Sequence, residues 1–140
     1  MKSERPLRTI RLSRRERAEV MRKVRRLVDR KEILIALLYG SFVERDAFRD
    51  LDVGVYLAPS ADDLLIPLMV EEEIRAGTGL PADVRVLNNA PPRVLRHVLS
   101  RSVPLLERVP LLRERLLARA LDEEQGLSLK AARSWRNLDP

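Results

Sequence analysis

Residues 37–57, LLYGSFVERDAFRDLDVGVYL, constrain this chain more than any other stretch. Two apolar runs flank a small-residue turn and a polar segment. The first run, ILIALLY over residues 33–39, is apolar throughout, which suits a strand buried on both faces. It ends abruptly in Gly40-Ser41, and residues 41–48 are expected to contain a short helical turn. Asp50-Leu51-Asp52 then opens a second strand over 51–57. Side chains at i and i+2 of a strand share a face, roughly 7 Å apart along the chain. Asp50 and Asp52 therefore point one way, and Leu51, Val53, Val55 and Leu57 point the other. Two carboxylates held together repel, and a divalent cation is the usual relief. Gly40-Ser41 offers what a phosphate needs: close backbone approach, N–H groups and a hydroxyl. A metal site beside a phosphate site points to nucleotide chemistry.

This pattern resembles the nucleotidyltransferase superfamily of DNA polymerase β, and most closely its minimal prokaryotic members, the MNT proteins. The resemblance covers roughly residues 20–110 and rests on Gly40, Ser41, Asp50, Asp52 and, on a later strand, Asp83 in PADVRVLN. It implies an α/β (α+β) fold, a small mixed sheet flanked by helices packed mainly on one side. It also implies transfer of a nucleoside monophosphate, AMP from ATP, to an acceptor hydroxyl. In that scheme Asp50, Asp52 and Asp83 are the catalytic and metal-binding residues of a two-metal Mg²⁺ site, and Asp83 alternatively accepts the acceptor's proton. Gly40 and Ser41 cradle the β- and γ-phosphates. Minimal members often act with a separate helical HEPN protein, in some pairs as an antitoxin that adenylylates a toxin RNase. The sequence departs from the family where most members carry a Gly after the Ser and a small hydroxyl residue before the first Asp. Arg45 and Arg49 stand at about those places, in a loop two residues shorter than usual. Their planar guanidinium groups are suited to phosphate, and solvated loop charge is the other reading. A chain that keeps the fold and acts on its partner by binding alone therefore stays open beside the enzyme.

Charge is unevenly placed. The net charge is +6, yet residues 1–32 hold 13 Lys/Arg against 5 Asp/Glu, and the remainder holds 14 against 16. A basic N-terminal arm (1–12) and first helix could meet nucleic acid or an acidic partner, but no aromatic interleaves the arginines for base stacking. With no Cys, disulfides and thiolate metal sites are excluded, and one His excludes His-rich zinc sites. Neither a P-loop nor a dinucleotide fingerprint occurs. No run is long enough to span a membrane and the start lacks the apolar core of a signal peptide, so a cytoplasmic protein is expected.

Hydrophobic content of 45% over 140 residues suits one domain spanning the chain. Ser13-Arg-Arg-Glu16 has the form of a capping box and opens a helix to about Asp29, with Val20, Val24, Leu27 and Val28 on one face. Pro67 predicts a first turn at 61–66 and then a helix from Pro67 to about Ala76, whose Glu71-Glu72-Glu73 run reads as solvated surface. Strands are expected over 83–87 and 103–107, and a short helix over 92–101 carries His97 as a packing or surface residue. A strong helix from Leu111 to Glu124 should stop near Gly126. The tail 127–140 holds Trp135, expected to dock on the domain or on a partner subunit, which leaves self-association open.

Overall fold

The fold was determined as a computed structural model that describes the backbone of residues 8–137 and the side chains of residues 8–126. The expected docking of Trp135 lies outside the described side chains, as does the start of the basic arm. The helix α1 (Arg14–Leu27) opens on the expected capping box. Ser13 Oγ accepts from the Glu16 N–H at 3.1 Å, and the Ser13 N–H donates to Glu16 Oε1 at 2.9 Å. Two short strands that the sequence did not announce, β1 (Ile10–Arg11) and β3 (Ala47–Phe48), pair antiparallel.

The main sheet contains β2 (Ile33–Tyr39), β4 (Leu51–Leu57), β5 (Ala82–Val86) and β6 (Val103–Glu107), in the order β5-β4-β2-β6. β2 runs antiparallel to both β4 and β6, whereas β4 and β5 are parallel. A parallel pair needs a long crossover, supplied here by α3 (Leu65–Thr78). α2 (Ser41–Glu44), α4 (Pro92–Ser100) and α5 (Leu112–Asn137) complete the chain.

Helices cover both faces of the sheet, which corrects the expectation of one-sided packing. Val20 and Val24 of α1 and Ile66, Val70 and Ile74 of α3 pack on Leu51, Val53, Val55 and Leu57 of β4. On the opposite face, Leu95, Val98 and Leu99 of α4 and Leu116 and Ala120 of α5 meet Ile35, Leu37 and Leu87. The alternation that sends Asp50 and Asp52 to one face sends four apolar residues of β4 to the other, as the spacing predicts. A register shift between Ile33 and Ile35 returns Ile33 to the α1/α3 face, so β2 is buried on both sides.

Two element boundaries differ from expectation for local reasons. α3 begins at Leu65, with Pro67 inside its first turn, where helix N–H groups have no internal acceptor. Asp62 Oδ1 accepts from the N–H groups of Leu64 and Leu65 at 3.0 and 2.8 Å and starts the helix ahead of the proline. α5 continues through Gly126 to Asn137 instead of stopping there. A helical Gly costs about 1 kcal/mol, and the helix formers around Gly126 outweigh it. The Glu run is not merely solvated. Glu71 Oε1 accepts from the Val84 N–H at 3.0 Å, and Glu73 pairs with Arg30. Among the described residues, no helix is long and apolar enough to cross a membrane.

Candidate active site

The strand registers bring the site together. Tyr39 of β2 lies opposite Asp52 of β4, and Asp52 lies opposite Asp83 of β5. All three sit on the α4/α5 face, because Leu51, Val53 and Val84 occupy the other. Tyr39, Asp52 and Asp83 thus form a row across three adjacent strands, with Asp50 two residues before Asp52 at the strand's start. Asp83 is exposed beside the pair.

Asp52 carries the electrostatic consequence. Its carboxyl is pushed up to about 6, first by burial, then by the charges of Asp50 and Asp83, against the opposing pull of Arg85. The Tyr39 hydroxyl is raised above its ordinary value, mainly by burial and further by all three aspartates, so it stays a protonated donor. Such a cluster holds a proton or a cation in preference to bare charge.

Gly40 is placed where only glycine fits. Its φ is +78°, and an added Cβ would lie 3.1 Å from Asp52 Cγ and closer still to the carboxylate oxygen. The turn therefore presses against Asp52 with no side chain between them. Ser41 begins α2, and its hydroxyl accepts from the Arg49 N–H at 3.3 Å, which fixes Ser41 against the residue preceding Asp50. The side chains of Arg45 and Arg49 are exposed on this loop, and neither makes an ion pair among the described residues.

Arg17 of α1 secures the loop from behind. Its guanidinium donates to the carbonyls of Phe42, Arg45 (2.9 Å) and Asp46 (2.7 Å). It also stacks 4.7 Å from the Phe42 ring centroid and 5.3 Å from that of Phe48, and the two rings meet edge to face. The sequence reading missed Arg17, since nothing in a basic helix marks one arginine of many as the one stacked on two distant phenylalanines. It missed Tyr39 and Arg85 as well. Tyr39 directly precedes Gly40, and Arg85 stands two residues after Asp83 on the same face, so strand periodicity could have found both.

A nucleotide-handling site of this form was expected, and comparison with known proteins decides the family. The family described as Polymerase beta, Nucleotidyltransferase matches residues 22–110. This chain belongs to that nucleotidyltransferase family. No curated protein matches. Among solved structures, one similar fold is in the complex of tri-AMPylated Shewanella oneidensis HEPN toxin with MNT antitoxin. The TM-score is 0.67 at 14% identity, covering 87% of this chain and 98% of that one. A toxin–antitoxin structure with AMP-PNP aligns at a TM-score of 0.63 and 15% identity, covering 91% and 98%. The MntA–HepT toxin–antitoxin structure aligns at 0.61 and 13%, covering 90% and 98%. At these identities the likeness is one of fold, and it extends well beyond residues 22–110.

The donor set can be tested for a divalent cation on its own chemistry. Mg²⁺ is usually held by one or two carboxylates and completes its shell with water and phosphate oxygens. Asp50 and Asp52 fit that demand: Asp52 is raised first by burial and next by the charge of Asp50, and a bound cation would offset both. Among the described residues, no group of three or more acidic or histidine side chains is arranged to hold an ion without such help.

Proposed function

We propose that this nucleotidyltransferase-family chain transfers AMP from ATP to a hydroxyl on a helical HEPN-type partner protein in the cytoplasm, as an MNT antitoxin. The observation that carries the reading is the Tyr39–Asp52–Asp83 row with Asp50 beside it, set directly against the Gly40-Ser41 turn. The solved neighbours support the choice of partner and nucleotide, since they include an AMPylated HEPN toxin and a toxin–antitoxin structure with AMP-PNP. Asp50 and Asp52 would hold Mg²⁺, which when bound supplies positive charge against the triphosphate and the departing pyrophosphate.

The chain's own residues do the rest. Gly40 lets the backbone approach the β- and γ-phosphates, and Ser41 offers its hydroxyl. Arg45 and Arg49, exposed on the same loop, would add their guanidinium groups to the phosphate site. The acceptor oxygen bonds to the α-phosphorus as the bond to pyrophosphate breaks, and the hydroxyl proton leaves to Asp83. The Tyr39 O–H remains a donor beside the carboxylates. A second reading, neutralisation of the partner by binding alone, draws on the shortened, Gly-poor loop in which Arg45 and Arg49 stand.

Label transfer from α-labelled ATP to the partner separates the two. Transfer should occur with wild type and vanish in Asp50→Asn/Asp52→Asn. Calorimetry should show ATP binding in Mg²⁺ that collapses in chelator. Transfer that survives the double substitution would exclude the enzyme reading.

A further inference from the structure

Beside the aspartate row lies a cleft of about 400 Å³ lined by Tyr39, Arg85, Arg93, Val94 and His97, among others. Its floor continues the sheet inward from the aspartates. Arg85 is in register with Gly54, two residues further along β4 than Asp52. Its roof is α4, which brings Arg93, Val94 and His97. Arg96 also lines it, but its guanidinium is committed to Glu124 of α5 at 2.6 Å. Arg85 and Arg93 make no ion pair among the described residues. Two guanidinium groups without an ion pair among the described residues, one of which also acts on Asp52, and an imidazole thus face one cleft, next to three carboxylates.

The geometry points to an anion subsite: Arg85, Arg93 and His97 hold an anionic group that the acceptor carries beside its reacting hydroxyl. The assignment to the acceptor rests on the transfer reading above. In an in-line displacement the attacking oxygen enters opposite the leaving group. The Gly40-Ser41 turn takes the leaving pyrophosphate at the end of β2, so attack comes from the other side of Asp52, where the cleft lies. The nucleotide's own anionic groups are met by the turn and by the cation at Asp50 and Asp52, and its nucleoside end is neutral. Cations in the cleft therefore face the acceptor. Guanidinium forks bind phosphoryl and carboxylate groups alike, so the ligand chemistry is an oxyanion from either source.

Amide-resolved NMR of the full-length chain in chelator tests this with inorganic phosphate and acetate as probes. Saturable shifts confined to Val94, His97 and the Arg85 strand are expected. Stronger response to phosphate names a phosphoryl group, and stronger response to acetate names a carboxylate. Arg93→Ala, an exposed position, should raise the phosphate dissociation constant roughly tenfold, as loss of one charge-assisted contact does, with Arg93→Lys between. The same Arg93→Ala chain should bind ATP with Mg²⁺ as wild type does. Two results overturn the proposal: neither probe perturbing the cleft, or Arg93→Ala weakening ATP as much as phosphate, which would give the cleft to the nucleotide. Phosphate binding in a wild-type chain that never binds ATP would leave the subsite standing and remove the transfer reading instead.

Discussion

Gly40 and Asp52 show how closely one residue's freedom is tied to another's chemistry. Gly40→Ala would force a side chain into the left-handed region and against the Asp52 carboxyl at once. The expected outcome is a destabilisation of about 1–3 kcal/mol, read by denaturant unfolding, together with loss of ATP binding by calorimetry. An alanine chain that binds ATP normally would show that the turn does not set the phosphate site. Asp52 supplies a pH signature. Its folded pKa, about 6, lies above the ordinary 3.8. The folded state therefore holds a proton that the unfolded state has released. Stability from this group is present below the ordinary value and is lost as pH rises through about 6. Partial solvent screening limits the loss to roughly 1–2 kcal/mol. In chelator, Asp52→Asn should remove that loss, so the variant gains on wild type between about pH 4 and pH 6 in thermal melts. Parallel melting curves across that range would mean that neither burial nor the neighbouring carboxylates hold the Asp52 carboxyl above its ordinary value.

At the scale of elements, the loop between β2 and β4 is held less by its own sequence than by α1. Arg17 satisfies three of its carbonyls and stacks on two of its aromatic rings. Arg17→Ala should cost about 2–3 kcal/mol from the lost charged hydrogen bonds and cation–π contacts. It should also speed amide exchange at residues 42–48 more than elsewhere. Arg17→Lys keeps the charge and loses the fork, so it should recover some stability while amide exchange at residues 42–48 stays faster than in wild type. Uniform exchange across the chain would make Arg17 a general stabiliser and not a positioning residue. The strands around this loop were legible because periodicity two fixes which side chains share a face. That rule placed Asp50 and Asp52 together and sent Leu51, Val53, Val55 and Leu57 to the opposite side. The clamp was not legible, because Arg17 and Phe42 are 25 residues apart and only tertiary packing joins them. The β1–β3 pair was hidden for the same reason. Pro67 and Gly126 misled because each breaker has a harmless position, the first turn for one and a strongly helical neighbourhood for the other.

For the whole molecule, the two-sided packing divides labour between the faces of the sheet. The α1/α3 face buries the strands that carry the aspartates, and the α4/α5 face supports the wall of the cationic cleft. Leu116 of α5 is the test of this division. It is buried among Ile35, Leu37, Leu95 and Leu99, and α5 is further joined to α4 by Arg96–Glu124. Leu116→Ala should cost about 2–5 kcal/mol through lost burial and the cavity left behind. The melting temperature should fall on the order of 10 °C. Below that melting point, the aspartate row is held from the other face, so ATP affinity in Mg²⁺ should stay near wild type while phosphate binding at the cleft weakens. Calorimetry with both ligands on the one variant reads the two faces separately. Equal loss of both would show that the sheet transmits the disturbance and that the site is one mechanical unit, whereas loss confined to phosphate would locate acceptor binding on α4 and nucleotide binding on the strands.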